Sequence, residues 1–112
     1  MKLAVIGSRT FDDYDKLAAK LDEFTNITEI VSGGANGADK LSEIYAKNKG
    51  IKTTIFKPNW AKYGRAAGML RNTDIIMNCD EVVAFWDGAS KGTADSISKA
   101  NRLGKKVHIF HI

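Results

Sequence analysis

The chain has 112 residues, 44% hydrophobic and 27% charged, with one proline and a net charge of +4. That balance excludes a disordered or collagen-like polymer, and the length corresponds to one domain spanning residues 1–112. No apolar run approaches the ~20 residues of a spanning helix, and a lone cysteine, Cys79, cannot pair internally; both fit a protein of the reducing cytoplasm with no membrane partner.

From the N-terminus, Leu3 to Ile6 reads as a buried strand, too short for a signal segment and running straight into Gly7. Leu17, Leu21 and Phe24 then repeat at helical spacing behind the acidic Asp12 and Asp13. Glu29 to Ser32 is a second strand, and Leu41, Ile44 and Tyr45 stripe a helix over 38–49 that Gly50 closes. Lys52 to Phe56 is a third strand, bounded by Pro58. Met69, Leu70, Thr73, Ile76 and Met77 mark a helix of about 66–78, and Val82 to Trp86 a fourth strand. Ala94, Ile97 and Ala100 mark a helix of about 93–103, closed by Gly104, before a last strand from Val107 to Ile112. Such alternation implies right-handed βαβ crossovers, so the predicted class is α/β: a single Rossmann-like three-layer domain of about five mainly parallel strands with helices on both faces. Ligands of such sheets bind beyond the carboxyl ends of the strands, which selects the residues that follow each one.

After the first strand, Gly7-Ser8-Arg9-Thr10-Phe11 combines a glycine turn with hydroxyl donors and a guanidinium able to clamp a phosphate. After the second, Ser32-Gly33-Gly34-Ala35-Asn36-Gly37-Ala38-Asp39 leaves the backbone bare at a helix start, where amides and the helix dipole receive anions. Asp39 caps backbone donors there or meets a ribose hydroxyl. After the third, Trp60 and Tyr63 offer faces for a base, and Arg65 or Arg71, with Asn72, offers partners for phosphates. After the fourth, Trp86-Asp87-Gly88-Ala89-Ser90-Lys91-Gly92-Thr93 is a further anion loop. His108 and His111 lie three apart on a strand and face opposite sides, so they form no metal pair, and neither metal nor cofactor is expected. There is no Walker string, GxGxxG, CxxC or HExxH.

Charge is uneven. Residues 1–56 carry eight basic and eight acidic side chains, whereas residues 57–112 carry nine basic and five acidic. That modest excess suits a phosphate-bearing ligand ahead of a nucleic-acid groove.

Taken in order and spacing, these strings resemble the SLOG superfamily, named for the Smf/DprA and Lonely Guy proteins, and its small YspA-like, cpYpsA-related branch. They include Gly7 to Phe11, Ser32 to Ala35 with Gly37 to Asp39, Trp60 with Tyr63-Gly64, Gly68 with Arg71-Asn72, and Ala84 to Gly88 through Lys91-Gly92-Thr93. The resemblance spans nearly the whole chain. It implies a Rossmann-like fold that binds nucleotides or nucleotide-derived ligands, with relatives linked to phage conflict and to NAD- or ADP-ribose-linked signalling. Arg71 matches the arginine of the Lonely Guy active-site helix, and Gly88 to Ser96 aligns with the PGGxGTxxE motif of those enzymes. Ser96 then stands where they carry an essential glutamate, and serine does not replace a carboxylate in glycosidic cleavage.

The leading expectation is therefore a non-catalytic sensor or sponge for a nucleotide-derived signalling molecule, ADP-ribose-like or cyclic, for instance in phage–host conflict. A Lonely Guy-like nucleoside 5′-monophosphate phosphoribohydrolase is the alternative, with Asp39, Asp87 or Asp95 beside Arg71. DprA-like single-stranded DNA binding ranks third, because no lysine/arginine run exceeds two residues, and nucleic acid is not expected as the partner. Relatives that pack helix to helix imply a homodimer or higher homo-oligomer, with the 66–78 segment as its surface.

Overall fold

A computed structural model describes all 112 residues. Five strands, β1 (Lys2–Gly7), β2 (Glu29–Ser32), β3 (Lys52–Ile55), β4 (Glu81–Trp86) and β5 (Lys106–His111), form one sheet in the order β3-β2-β1-β4-β5. Every pairing is parallel. Between the strands run α1 (Tyr14–Leu21), α2 (Ala38–Lys49), a one-turn α3 (Trp60–Tyr63), α4 (Ala67–Met77) and α5 (Lys91–Arg102).

The central strands are apolar without alternation because both faces of the sheet are covered. On one face Leu3, Val5, Val83 and Phe85 pack with Leu17 and Leu21 of α1 and Tyr45 and Ala46 of α2. On the other, Ala4, Ile6, Val82 and Ala84 pack with Ile75 and Ile76 of α4 and Ile97 and Ala100 of α5. The predicted α/β three-layer arrangement is therefore the observed one. Gly50 (φ 68°) and Gly104 (φ 70°) turn the chain left-handed after α2 and α5, as their positions predicted.

The differences are local. Helix α1 stops at Leu21, leaving Phe24 outside it and edge-on to the His108 ring. Helix α5 starts at Lys91, two residues earlier than its apolar stripe suggested. Helix α3 was not foreseen; the Asn59 side chain caps it by accepting from Lys62 N at 3.1 Å, and one turn is too short to show a period. No helix is long and apolar enough to cross a membrane. Met69, Leu70, Met77 and Leu103 are exposed.

Strand β1 has β2 on one side and β4 on the other, so the order in which successive strands are added reverses between β1 and β4 and the loops beyond them part there.

Candidate nucleotide-binding site

Two glycines bring the loops of this crevice into contact. A Cβ on Gly7 would lie 2.4 Å from Phe85 O and 2.7 Å from Ala38 Cβ, so only glycine lets α2 close onto the end of β1. Gly37, at φ 80°, would place a Cβ 2.3 Å from Ser8 O, and it locks the start of α2 against the β1–α1 loop.

Three recesses open along this edge. The smallest, about 70 Å³, lies among Gly7, Arg9, Asp39, Arg71, Gly92 and Thr93, with Ser96 and Asn72 in its walls. The largest, about 470 Å³, lies between the Gly33–Asn36 loop and Lys57, Pro58 and Trp60. The third, about 110 Å³, is bounded by Lys57, Asn59, Tyr63, Leu70 and Asp74. Arg71 borders all three, and Arg9 borders the first two.

Arg71 is half-buried. Its Nη1 donates to Gly33 O at 2.7 Å and its Nε to Asn72 Oδ1 at 3.0 Å. Burial weakens its hold on the proton, the Asp39 charge strengthens it and Arg9 opposes it; the group stays cationic. Arg9 is exposed, and neither arginine has a carboxylate within ion-pair distance. Asn72 is buried, and its amide nitrogen donates to Gly92 O at 3.3 Å and Asp95 Oδ2 at 3.2 Å.

The carboxylates have partners within the protein. Asp39 is buried and its Oδ2 accepts from Ala35 N at 3.1 Å; burial raises its pKa to about 6, Glu43 adds to the rise, and the Ala35 N–H, Arg71 and the Gly33 N–H oppose it. Asp87 Oδ1 accepts from Ala89 N and Ser90 N, both at 2.8 Å, and these bonds lower its pKa. Asp95 pairs with Lys99 at 2.7 Å. No group of three or more His, Cys, Asp or Glu side chains is placed to hold a metal ion.

The residues singled out from sequence thus divide. Arg9, Gly33, Gly34, Ala35, Asp39, Trp60, Arg71, Asn72, Ser90, Gly92 and Thr93 line the first two recesses, and Tyr63 lines the third. Ser8, Phe11, Ser32 and Ala38 are buried supports. Phe11 stacks on Phe85 at 5.0 Å, and Ser8 Oγ accepts from Asp87 N at 3.1 Å, tying the first loop to the fourth. Trp86 Nε1 donates to Ser90 O at 3.1 Å. Thr10, Gly88 and Lys91 are exposed outside the recesses. Lys57, Pro58 and Asn36 were missed, although Lys57 directly follows the predicted third strand and the rule about carboxyl ends marks it.

The fold is shared with solved structures. The chain superposes on DNA processing protein A (DprA) from Streptococcus pneumoniae with a TM-score of 0.81 at 21% identity, covering 96% of this chain and 49% of that one. On DprA from Helicobacter pylori, whose structure addresses its single-stranded DNA binding mode, the TM-score is 0.75 at 23% identity, covering 97% and 64% of the two chains. This chain therefore spans less than two thirds of either. The expectation that set nucleic acid aside is corrected by the second of these, because a protein with this fold binds single-stranded DNA. Its ground, the shortness of basic runs, was unsound: here Arg9 from the loop after β1, Lys57 from the loop after β3 and Arg71 from α4 line one recess.

In sequence, the chain is 30% identical over 119 residues to the Gene 61 protein of Mycobacterium phage D29, covering 97% of this chain and 95% of that relative. The pattern of the YspA, cpYpsA-related SLOG family matches residues 1–63, more than half of the chain. The strings that resembled that branch lie on the loops that meet between β1 and β4, and the chain belongs to the YspA, cpYpsA-related SLOG family.

Proposed function

We propose that the protein binds a nucleotide or nucleotide-derived signalling molecule through its phosphate and holds it without turning it over, as a sensor or a sequestering protein. The observation that carries this reading is the placement of Arg9 and Arg71, two cations without an ion-pair partner, where a small polar recess meets a large one. A phosphoryl group fits the small recess beside the first-turn amides of α5, and a nucleoside fits the large one with its base against Trp60, which is 56% exposed. Retention without chemistry is supported by the carboxylates: Asp39, Asp87 and Asp95 are each engaged by protein groups, and Ser96 offers no base. A phage relative of similar length favours sequestration.

The test mixes purified protein with a nucleotide panel and compares the filtrate by mass spectrometry before and after heat denaturation. A compound that disappears and returns intact is a bound ligand, and Arg9→Ala and Arg71→Ala each weaken its capture at least tenfold. Accumulation of free base or ribose phosphate assigns a hydrolase instead, and equal capture by both variants removes the site.

A second reading is single-stranded DNA binding. Trp60 and Tyr63 are exposed beside Lys57 and Lys62, a grouping of stacking faces and cations of the kind that carries single strands. The related fold in Helicobacter pylori DprA supports it. Oligonucleotide affinity that falls steeply with salt and is lost in Trp60→Ala supports this reading, and salt-independent or absent binding excludes it.

A further inference from the structure

Lys57 is the third cation of the site and differs from the two arginines in position. It lines both the large recess and the 110 Å³ recess and, unlike the two arginines, has no part in the 70 Å³ recess. Its stem runs along the glycine loop, with Cγ and Cε each 3.8 Å from where a Gly34 Cβ would stand. Its ammonium makes no ion pair and no hydrogen bond to the protein. The large recess thus shares one unpaired cation, Arg9, with the small recess and another, Lys57, with the third. A single terminal phosphate at the arginines leaves Lys57 unused. The third recess presents the Tyr63 ring and the Asp74 carboxylate, so an anion entering from the large recess stays beside Lys57.

We infer that the site takes a nucleoside bearing phosphate on both sides, one phosphate between Arg9 and Arg71 and the other at Lys57, with Lys57 as the residue that distinguishes it from a nucleoside monophosphate. The inference rests on the nucleotide-binding reading above. Two sources carry this chemistry: a free nucleoside 3′,5′-bisphosphate, and a nucleotide unit within a phosphodiester-linked strand, for which the third recess accepts the start of the next residue.

The experiment measures affinity, by calorimetry at fixed salt, for three probes: adenosine 5′-monophosphate, adenosine 3′,5′-bisphosphate and a 5′-phosphorylated deoxyadenosine dinucleotide. Each is titrated into wild type, Lys57→Ala and Arg9→Ala. The doubly phosphorylated probes bind wild type about tenfold or more tightly than the monophosphate, the scale of one charge-assisted contact. Lys57→Ala removes that advantage and leaves monophosphate affinity within about twofold, whereas Arg9→Ala weakens all three. An advantage for the bisphosphate alone names the free nucleotide as the source; one for the dinucleotide alone names the strand. No advantage for either, or an equal loss across the three probes in Lys57→Ala, overturns the inference while leaving the nucleotide reading in place. Failure of all three probes with wild type removes that reading and this inference with it. Because Lys57 is exposed and bonded to nothing, its removal does not threaten the fold, and an unchanged thermal midpoint verifies this.

Discussion

Arg71 Nε donates to Asn72 Oδ1 at 3.0 Å, so an arginine of the proposed ligand site is steered by its own neighbour in sequence. Asn72 passes the constraint on to α5 through Gly92 O and Asp95, and Asp95 is held in turn by Lys99, whose Nζ also donates to Met69 O at 2.8 Å. Arg71 and the first turn of α5 are thus set relative to each other by one buried amide. Asn72→Ala leaves Gly92 O and Asp95 short of a donor and frees the guanidinium. It lowers unfolding free energy by about 1–3 kcal/mol in urea titrations and weakens nucleotide capture. An unchanged urea midpoint with unchanged capture excludes this role.

Asp39 links stability to pH. Its folded-state pKa of about 6 lies above the ordinary 3.8, chiefly through burial. Between those values the folded protein binds more protons than the unfolded chain, so stability from this group falls as pH rises and levels off above the folded pKa. At ~1.4 kcal/mol per unit the whole effect is about 3 kcal/mol. Asp39→Asn keeps an acceptor for Ala35 N–H and lacks the charge. Its urea midpoint therefore gains on wild type as pH rises from ~4 to ~7, and parallel curves for the two proteins exclude Asp39 as the source.

Glycines of the site separate stability from binding. Gly37→Ala forces a Cβ into Ser8 O at positive φ and lowers the thermal midpoint together with ligand capture. Gly92→Ala meets nothing within 4 Å and lies in the first turn of α5. It stabilises the protein by up to about 1 kcal/mol, yet weakens ligand capture by covering amides a phosphate approaches. Calorimetric melting paired with the filtrate assay reads both quantities, and a gain in both for Gly92→Ala places the phosphate elsewhere.

Lys105 acts at the opposite edge of the sheet. Its Nζ donates to Ile76 O at 2.6 Å and to Cys79 O, satisfying carbonyls around the end of α4. Lys105→Met retains the apolar stem and costs about 1–3 kcal/mol in urea titrations, with ligand affinity unchanged. A melting temperature equal to wild type shows that water serves those carbonyls as well.

The layered fold was legible because glycine and proline punctuate it and because strands buried on both faces read as unbroken apolar runs. The site was legible only in part. Arg9 stood out as a cation on a loop built for anions and Arg71 as one on a largely apolar helix, but Ser8 and Phe11, counted with Arg9 as ligand contacts, are both buried. Local sequence cannot tell that Phe11 folds back onto Phe85, a contact across the sheet. Lys57 was passed over because an isolated lysine carries no motif, although its place just beyond the third strand marks it by the rule about carboxyl ends.

The central place of β1 makes both halves of the chain necessary to the crevice beside it. β1 takes one edge partner from residues 29–32 and the other from residues 81–86. Residues 1–56 alone supply only β1, β2 and β3, whose arrangement in the sheet leaves the β4 side of β1 without a partner. The small recess draws walls from β1, α2, α4 and α5, so it is complete only when residues beyond 93 are in place, whereas the large recess needs nothing beyond Arg71. Without β4 the β1 edge would be bare and open to pairing with another strand, so β4 protects the centre of the sheet as well as bounding the crevice.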